Sequence, residues 1–211
     1  MTKQLFLVGF SGVGLLLMVF GGCLGRGPAR VRPPSIDAGS AGREAIRQYD
    51  TNADGLVKGE ELDKAPSLKA ALKKLDKNGD GGVDASEVTA RIRQWQESKV
   101  GKMGVSCIVT FNKRPLAGAK VTFEPEKFLG ANMKICVGTT DDHGAASLIE
   151  EASSDGLPGC PPGLYLVRIS KQEGGKELLP AKYNSQTILG VEIALDAEGM
   201  QEGSLRFDLM P

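Results

Sequence analysis

The chain has 211 residues, with 26 Lys and Arg against 26 Asp and Glu, one His and four Cys. Zero formal charge and basic residues interspersed with acids exclude the long-range positive field of a dedicated nucleic-acid binder. A single His excludes every zinc or hydrolytic site that needs two. Aromatic residues at 5% and 28 glycines point to small cores and many turns, in one large domain or two small ones.

Residues 1–22 read as an export signal. Lys3 supplies a positive start, and Leu5 to Phe20 is an uncharged apolar run of 16 residues, short of the ~20 that span a bilayer. The run closes in Val19-Phe20-Gly21-Gly22-Cys23. This resembles a bacterial lipoprotein signal, with Phe20 where Leu is usual, and implies cleavage before Cys23 and a lipid anchor in a membrane on its thiol. An uncleaved anchor and a plain secretory signal are the alternatives, and all three export the rest of the chain. Residues 23–39 carry Gly25, Gly27, Pro28, Pro33 and Pro34 without an apolar period. They read as a flexible tether.

Residues 40–100 predict a small all-α unit. Ser40 is placed to cap a helix over Arg43–Tyr49, and Ser67 a helix over Leu68–Leu75, whose Leu68, Leu72 and Leu75 share one face. Val88, Ile92 and Trp95 give a last helix the same spacing. Between these helices lie two twelve-residue segments, Asp50 to Glu61 and Asp76 to Glu87, starting 26 residues apart. Both fit the EF-hand loop. Calcium takes about six to eight hard oxygens, and loop positions 1, 3 and 5 supply them on short side chains. Here those are Asp50, Asn52 and Asp54, then Asp76, Asn78 and Asp80. The sharp turn at position 6 is Gly55 and Gly81. Main-chain carbonyls come from Leu56 and Gly82, and the bidentate carboxylates from Glu61 and Glu87. Val57 and Val83, at position 8, suit the short β-bridge that paired hands make.

The loops differ at position 9, which is Lys58 in the first and Asp84 in the second. A lysine cannot be a ligand, so the second of two calcium sites is expected to be the tighter. Pro66 cuts the first hand's exit helix to little more than one turn. Residues 40–100 contain no Met, whereas calcium sensors open a Met-rich groove. Calcium is therefore expected to be structural. The alternative is a calcium-responsive regulatory subunit that docks on an envelope enzyme.

From residue 101 onward, helical period gives way to alternation. Strands are expected near 103–110, 119–124, 133–139, 145–150, 164–170, 190–195 and 204–209, separated by Gly, Pro and Asp turns. Seven short strands predict an all-β two-sheet sandwich, giving an α+β chain overall. Lys113-Arg114-Pro115-Leu116-Ala117-Gly118-Ala119-Lys120-Val121-Thr122-Phe123, Thr140-Asp141-Asp142-His143-Gly144 and Pro162-Gly163-Leu164-Tyr165-Leu166-Val167 occur in that order. They resemble the successive motifs of carboxypeptidase regulatory-like (transthyretin-like) domains, in the variant found in many exported planctomycete proteins. The resemblance implies a Greek-key sandwich, no catalysis of its own, and a surface for an envelope protein or polysaccharide. His143 reads as a surface-turn residue. Among Cys107, Cys136 and Cys160, export favours a Cys136–Cys160 disulfide, with three buried thiols as the alternative.

Overall fold

A computed structural model describes residues 31–151, 157–200 and 204–211. The expected signal and Cys23 lie outside these residues, as does the tether up to residue 30. Among the described residues no helix is long and apolar enough to cross a membrane.

Helix α1 runs over Ala38–Tyr49, earlier than the sequence suggested. Its N-cap is Asp37, whose carboxylate accepts from the Ser40 amide at 3.0 Å. Ser40 is therefore the capped residue rather than the cap. The last tether residues are packed in consequence: Ile36 is buried, and its carbonyl accepts from Gln96 at 2.7 Å. Strand β1 (Val57–Lys58) leads to α2 (Glu60–Lys64), which stops before Pro66. Pro66 opens α3 (Pro66–Leu75), where a missing amide costs nothing. Ser67 is thus inside the helix and does not cap it, and its buried hydroxyl donates to Glu126 instead. Strand β2 (Gly82–Val83) precedes α4 (Ala85–Glu97). Helices α1 and α4 approach closely at Gly42, where a Cβ would stand 2.3 Å from the Ala85 carbonyl oxygen.

The remaining elements are β3 (Val105–Phe111), β4 (Arg114–Pro115), β5 (Lys120–Pro125), β6 (Cys136–Thr139), β7 (Ala145–Glu150), β8 (Gly163–Ser170), the hairpin β9 (Gln172–Glu173) and β10 (Lys176–Glu177), β11 (Leu189–Ile193) and β12 (Leu205–Leu209). Burial alternates along β3, β7 and β12, as the sequence pattern requires.

The β9–β10 hairpin stands apart, and the other strands of this half are not divided between two sheets. They form one sheet in the order β11-β8-β5-β6-β7-β3-β12, with β4 beside β3. Its pairs are antiparallel except β12 with β3. The strands curl into a half-barrel in which β6 is bonded on both sides, and the expected Greek-key sandwich is not confirmed. Thr122 of β5 pairs with Val137, which also pairs with Ile149 of β7. Gly138 lets the neighbouring strand come close, since a Cβ there would lie 2.6 Å from the Ser147 oxygen. The curl brings β5 to the edge strand β12, and the Phe123 and Phe207 rings meet edge-on at 6.1 Å.

One apolar cluster includes Leu68, Leu75 and Ile92 of the helices together with Phe123, Tyr165 and Ile169 of the sheet. The helical unit covers the β11 end of the sheet. A Cβ on Gly190 would stand 2.2 Å from the carbonyl carbon of Pro66. Two buried carboxylates of the sheet half reach the helices. Glu192 accepts from Arg91 Nε at 2.5 Å and Trp95 Nε1 at 2.9 Å. Glu126 accepts from the Tyr49 hydroxyl at 2.9 Å and from Ser67.

Cys107, Cys136 and Cys160 are buried free thiols. Cys136 and Cys160, the pair expected as a disulfide, lie beside one another as free thiols. The Cys136 thiol, and then burial, push the Cys160 thiol upward, away from the thiolate that exchange requires.

Candidate calcium loops

The two loops are built by the same local hydrogen bonds. Asp50 at position 1 accepts from the Ala53 amide at 2.6 Å and the Gly55 amide at 2.9 Å. Asp76 does the same with Gly79 at 2.6 Å and Gly81 at 3.0 Å. Asn52 and Asn78 each accept from the amide two residues on, at 2.8 Å. Asp54 and Asp80 accept from the Leu56 and Gly82 amides at 3.0 and 2.9 Å. These are the turns that short oxygen side chains form with their own backbone, and here they line the oxygens up along each loop.

The turn at position 6 needs positive φ, which Gly55 takes at 87° and Gly81 at 79°. Position 4 is also left-handed in both, with Ala53 at 61° and Gly79 at 79°. The first loop therefore carries a non-glycine residue where the second has glycine. Val57 pairs with Val83 and Lys58 with Gly82 in the antiparallel bridge that joins the hands.

The position-12 carboxylates fold back over their loops. Glu61 accepts from the Thr51 amide at 2.7 Å and the Lys58 amide at 3.3 Å. Glu87 accepts from Lys77 at 2.9 Å and Asp84 at 3.0 Å. The Thr51 amide and hydroxyl hold Glu61 below the usual carboxylate range, which keeps it ionised. Thr51 was not singled out in the sequence. Its hydroxyl, 2.9 Å from Glu61, has no counterpart at Lys77 in the second loop.

Position 9 separates the loops as the sequence suggested. Lys58 is ion-paired with Asp54 at 2.9 Å, so its ammonium sits on an expected ligand. That contact holds Asp54 below the usual carboxylate range. Asp84 instead caps α4 in a reciprocal box with Glu87, accepting from its amide at 2.8 Å.

Among the described residues, no three His, Cys, Asp or Glu side chains already converge where a metal could sit. The loop carboxylates point at their own amides. The donor set nonetheless fits a hard cation: each loop offers carboxylate, amide and carbonyl oxygens and no nitrogen or sulfur ligand. Asp50, Asn52, Asp54, Leu56 and Glu61 would hold one ion. Asp76, Asn78, Asp80, Gly82, Asp84 and Glu87 would hold the other.

The other singled-out residue is His143, exposed in the β6–β7 turn, where its amide donates to Asp141 at 2.8 Å.

A family signature described as EF hand matches residues 68–90, covering most of α3, the second loop and the start of α4. It reaches neither the first loop nor the sheet, so the likeness to carboxypeptidase regulatory-like domains stands on its short motifs alone. No curated protein and no solved structure matches the chain. The chain thus contains an EF hand at its second loop, and calcium binding follows from that motif.

Proposed function

We propose that the protein is a non-enzymatic, exported calcium-binding protein whose paired hands take two structural ions and brace the curled sheet. The observation that carries this reading is the recurrence in the first loop of the turn hydrogen bonds that shape the second. Two loops whose oxygens are arranged by identical turns, joined at Val57 and Val83, form one binding unit. The loops together hold eight acidic side chains and two lysines, and two calcium ions offset that local repulsion.

A structural role is favoured over a sensor by the buried bonds to the sheet. A sensor's helices swing on binding, whereas Arg91 and Trp95 of α4 are held by Glu192, and Tyr49 of α1 by Glu126. Swinging either helix would leave a carboxylate buried without its donors.

The asymmetry at position 9 supports tighter binding in the second loop. Calorimetric titration of Glu61→Gln and Glu87→Gln measures it. Glu87→Gln is expected to remove the tighter class of site and Glu61→Gln the weaker. Equal loss of affinity in the two variants contradicts the assignment.

Export and anchoring rest on the N-terminal sequence. The lipid on Cys23 would hold the protein to a membrane, leaving the sheet's outer face, with Ile149 49% exposed, as a surface towards envelope partners. Mass spectrometry of the mature N-terminus is expected to find a diacylated Cys23 residue. An intact Met1 start contradicts cleavage.

A further inference from the structure

We infer that Glu126, in the loop after β5, is a positioning residue of the first calcium loop. This rests on the calcium reading above and adds to it a residue lying 65 positions beyond the loop's last ligand, Glu61.

Tyr49 is the last residue of α1 and is peptide-bonded to Asp50, the first ligand of the loop. Its hydroxyl reaches both carboxylate oxygens of Glu126, at 2.9 and 3.1 Å. Glu126 is only 1% exposed. The Ser67 hydroxyl, itself fully buried, is its other hydroxyl donor and ties the start of α3 to the same carboxylate. A carboxylate at that depth cannot trade these donors for water, so it keeps the end of α1 in one place.

That place determines where Asp50 begins. The Asp50 carboxylate is already committed to the Ala53 and Gly55 amides. The register of the whole first loop is therefore referred, through one peptide bond, to a side chain of the sheet half. The second loop has no such arrangement: it is preceded by Leu75, an apolar core residue.

An ion binding a loop whose competent arrangement is only partly populated binds more weakly by that fraction. Removing Glu126 frees the end of α1, lowers the competent fraction of the first loop, and leaves the second loop largely as it was. The sheet half thereby acts on calcium affinity, and calcium in the first loop in turn holds the sheet half.

The test is a calcium titration of the full-length chain followed by NMR, reading the Gly55 and Gly81 amides as separate reporters of the two loops. Glu126→Ala is expected to raise the dissociation constant at Gly55 about tenfold, which is a competent fraction of roughly a tenth. At Gly81 the expected change is under about twofold. Glu126→Gln, whose amide oxygen still accepts from both hydroxyls, is expected to restore the Gly55 value. Tyr49→Phe removes one hydroxyl without disturbing the core, shifts Gly55 in the same direction, and carries the test should Glu126→Ala not fold. Equal weakening at both glycines, or an unchanged Gly55 value in Glu126→Ala and Tyr49→Phe, overturns the inference. A wild-type chain in which calcium moves neither glycine refutes the calcium reading, and the inference with it.

Discussion

Arg91→Ala is expected to destabilise the protein by about 3–5 kcal/mol, the cost of leaving a buried partner charge uncompensated. The Arg91 and Glu192 side chains are each 3% exposed and meet at 2.5 Å. Without the guanidinium, Glu192 keeps only the Trp95 indole at 2.9 Å. For a chain of this size, the loss corresponds to a fall in melting midpoint of about 6–20 °C. The double substitution Arg91→Met with Glu192→Leu removes both charges and is expected to recover most of it, because a pair replaced together leaves no orphan. A single-variant loss below about 1 kcal/mol, the range of an exposed pair, contradicts this account of the seam. Arg91 also bonds Asp196, holding its carboxyl below the usual range. A depressed carboxylate contributes stability at neutral pH that is lost as pH falls through its folded value. The gap between wild type and Arg91→Ala should therefore narrow in acid.

The second large effect is steric. Gly190→Ala places a methyl group 2.2 Å from the Pro66 carbonyl carbon and 2.3 Å from the Ser67 nitrogen. These atoms are backbone, so no side chain can turn aside, and α3 must back away from β11. That opens the seam under Leu68 and removes Ser67 from Glu126. The expected cost is about 3 kcal/mol, at the upper end of overpacking, read as a fall in the melting midpoint together with a change in Trp95 fluorescence. An unchanged midpoint would show that α3 is not pressed against the sheet.

These two substitutions lie where the sequence was least legible. Each candidate loop is confined to twelve consecutive residues, so the Gly55 and Gly81 turns and the Val57–Val83 bridge could be read locally. Strands were legible for a similar reason, since alternation is local; the range 145–150 matches β7 end to end. Helix starts were read from the nearest serines, but Asp37 and Pro66 took those roles. What escaped is long-range. Glu126 stands in Glu124-Pro125-Glu126-Lys127 and Glu192 in Val191-Glu192-Ile193. Nothing in either setting announces a buried acid waiting for a donor from a helix as much as 101 residues earlier. The joining of the strands into one sheet depends on β6 pairing on both edges, and local pattern does not encode which strands meet. The sandwich expectation came from strand number, and a half-barrel uses the same alternation.

In the proposed function, calcium in the paired hands braces the whole fold, helices and sheet together. Thermal unfolding of the full-length chain in calcium and in excess chelator tests it most directly. A ligand that binds only the folded form at about 100 times its dissociation constant stabilises by about 2.7 kcal/mol per site. For a chain of this length that raises the midpoint by roughly 5–10 °C per site. Because Leu68, Ile92, Phe123 and Tyr165 belong to one core, the far-ultraviolet helical signal and the tertiary signal of Tyr165 and Trp95 should shift together. A midpoint that is the same with calcium and with chelator would contradict the account.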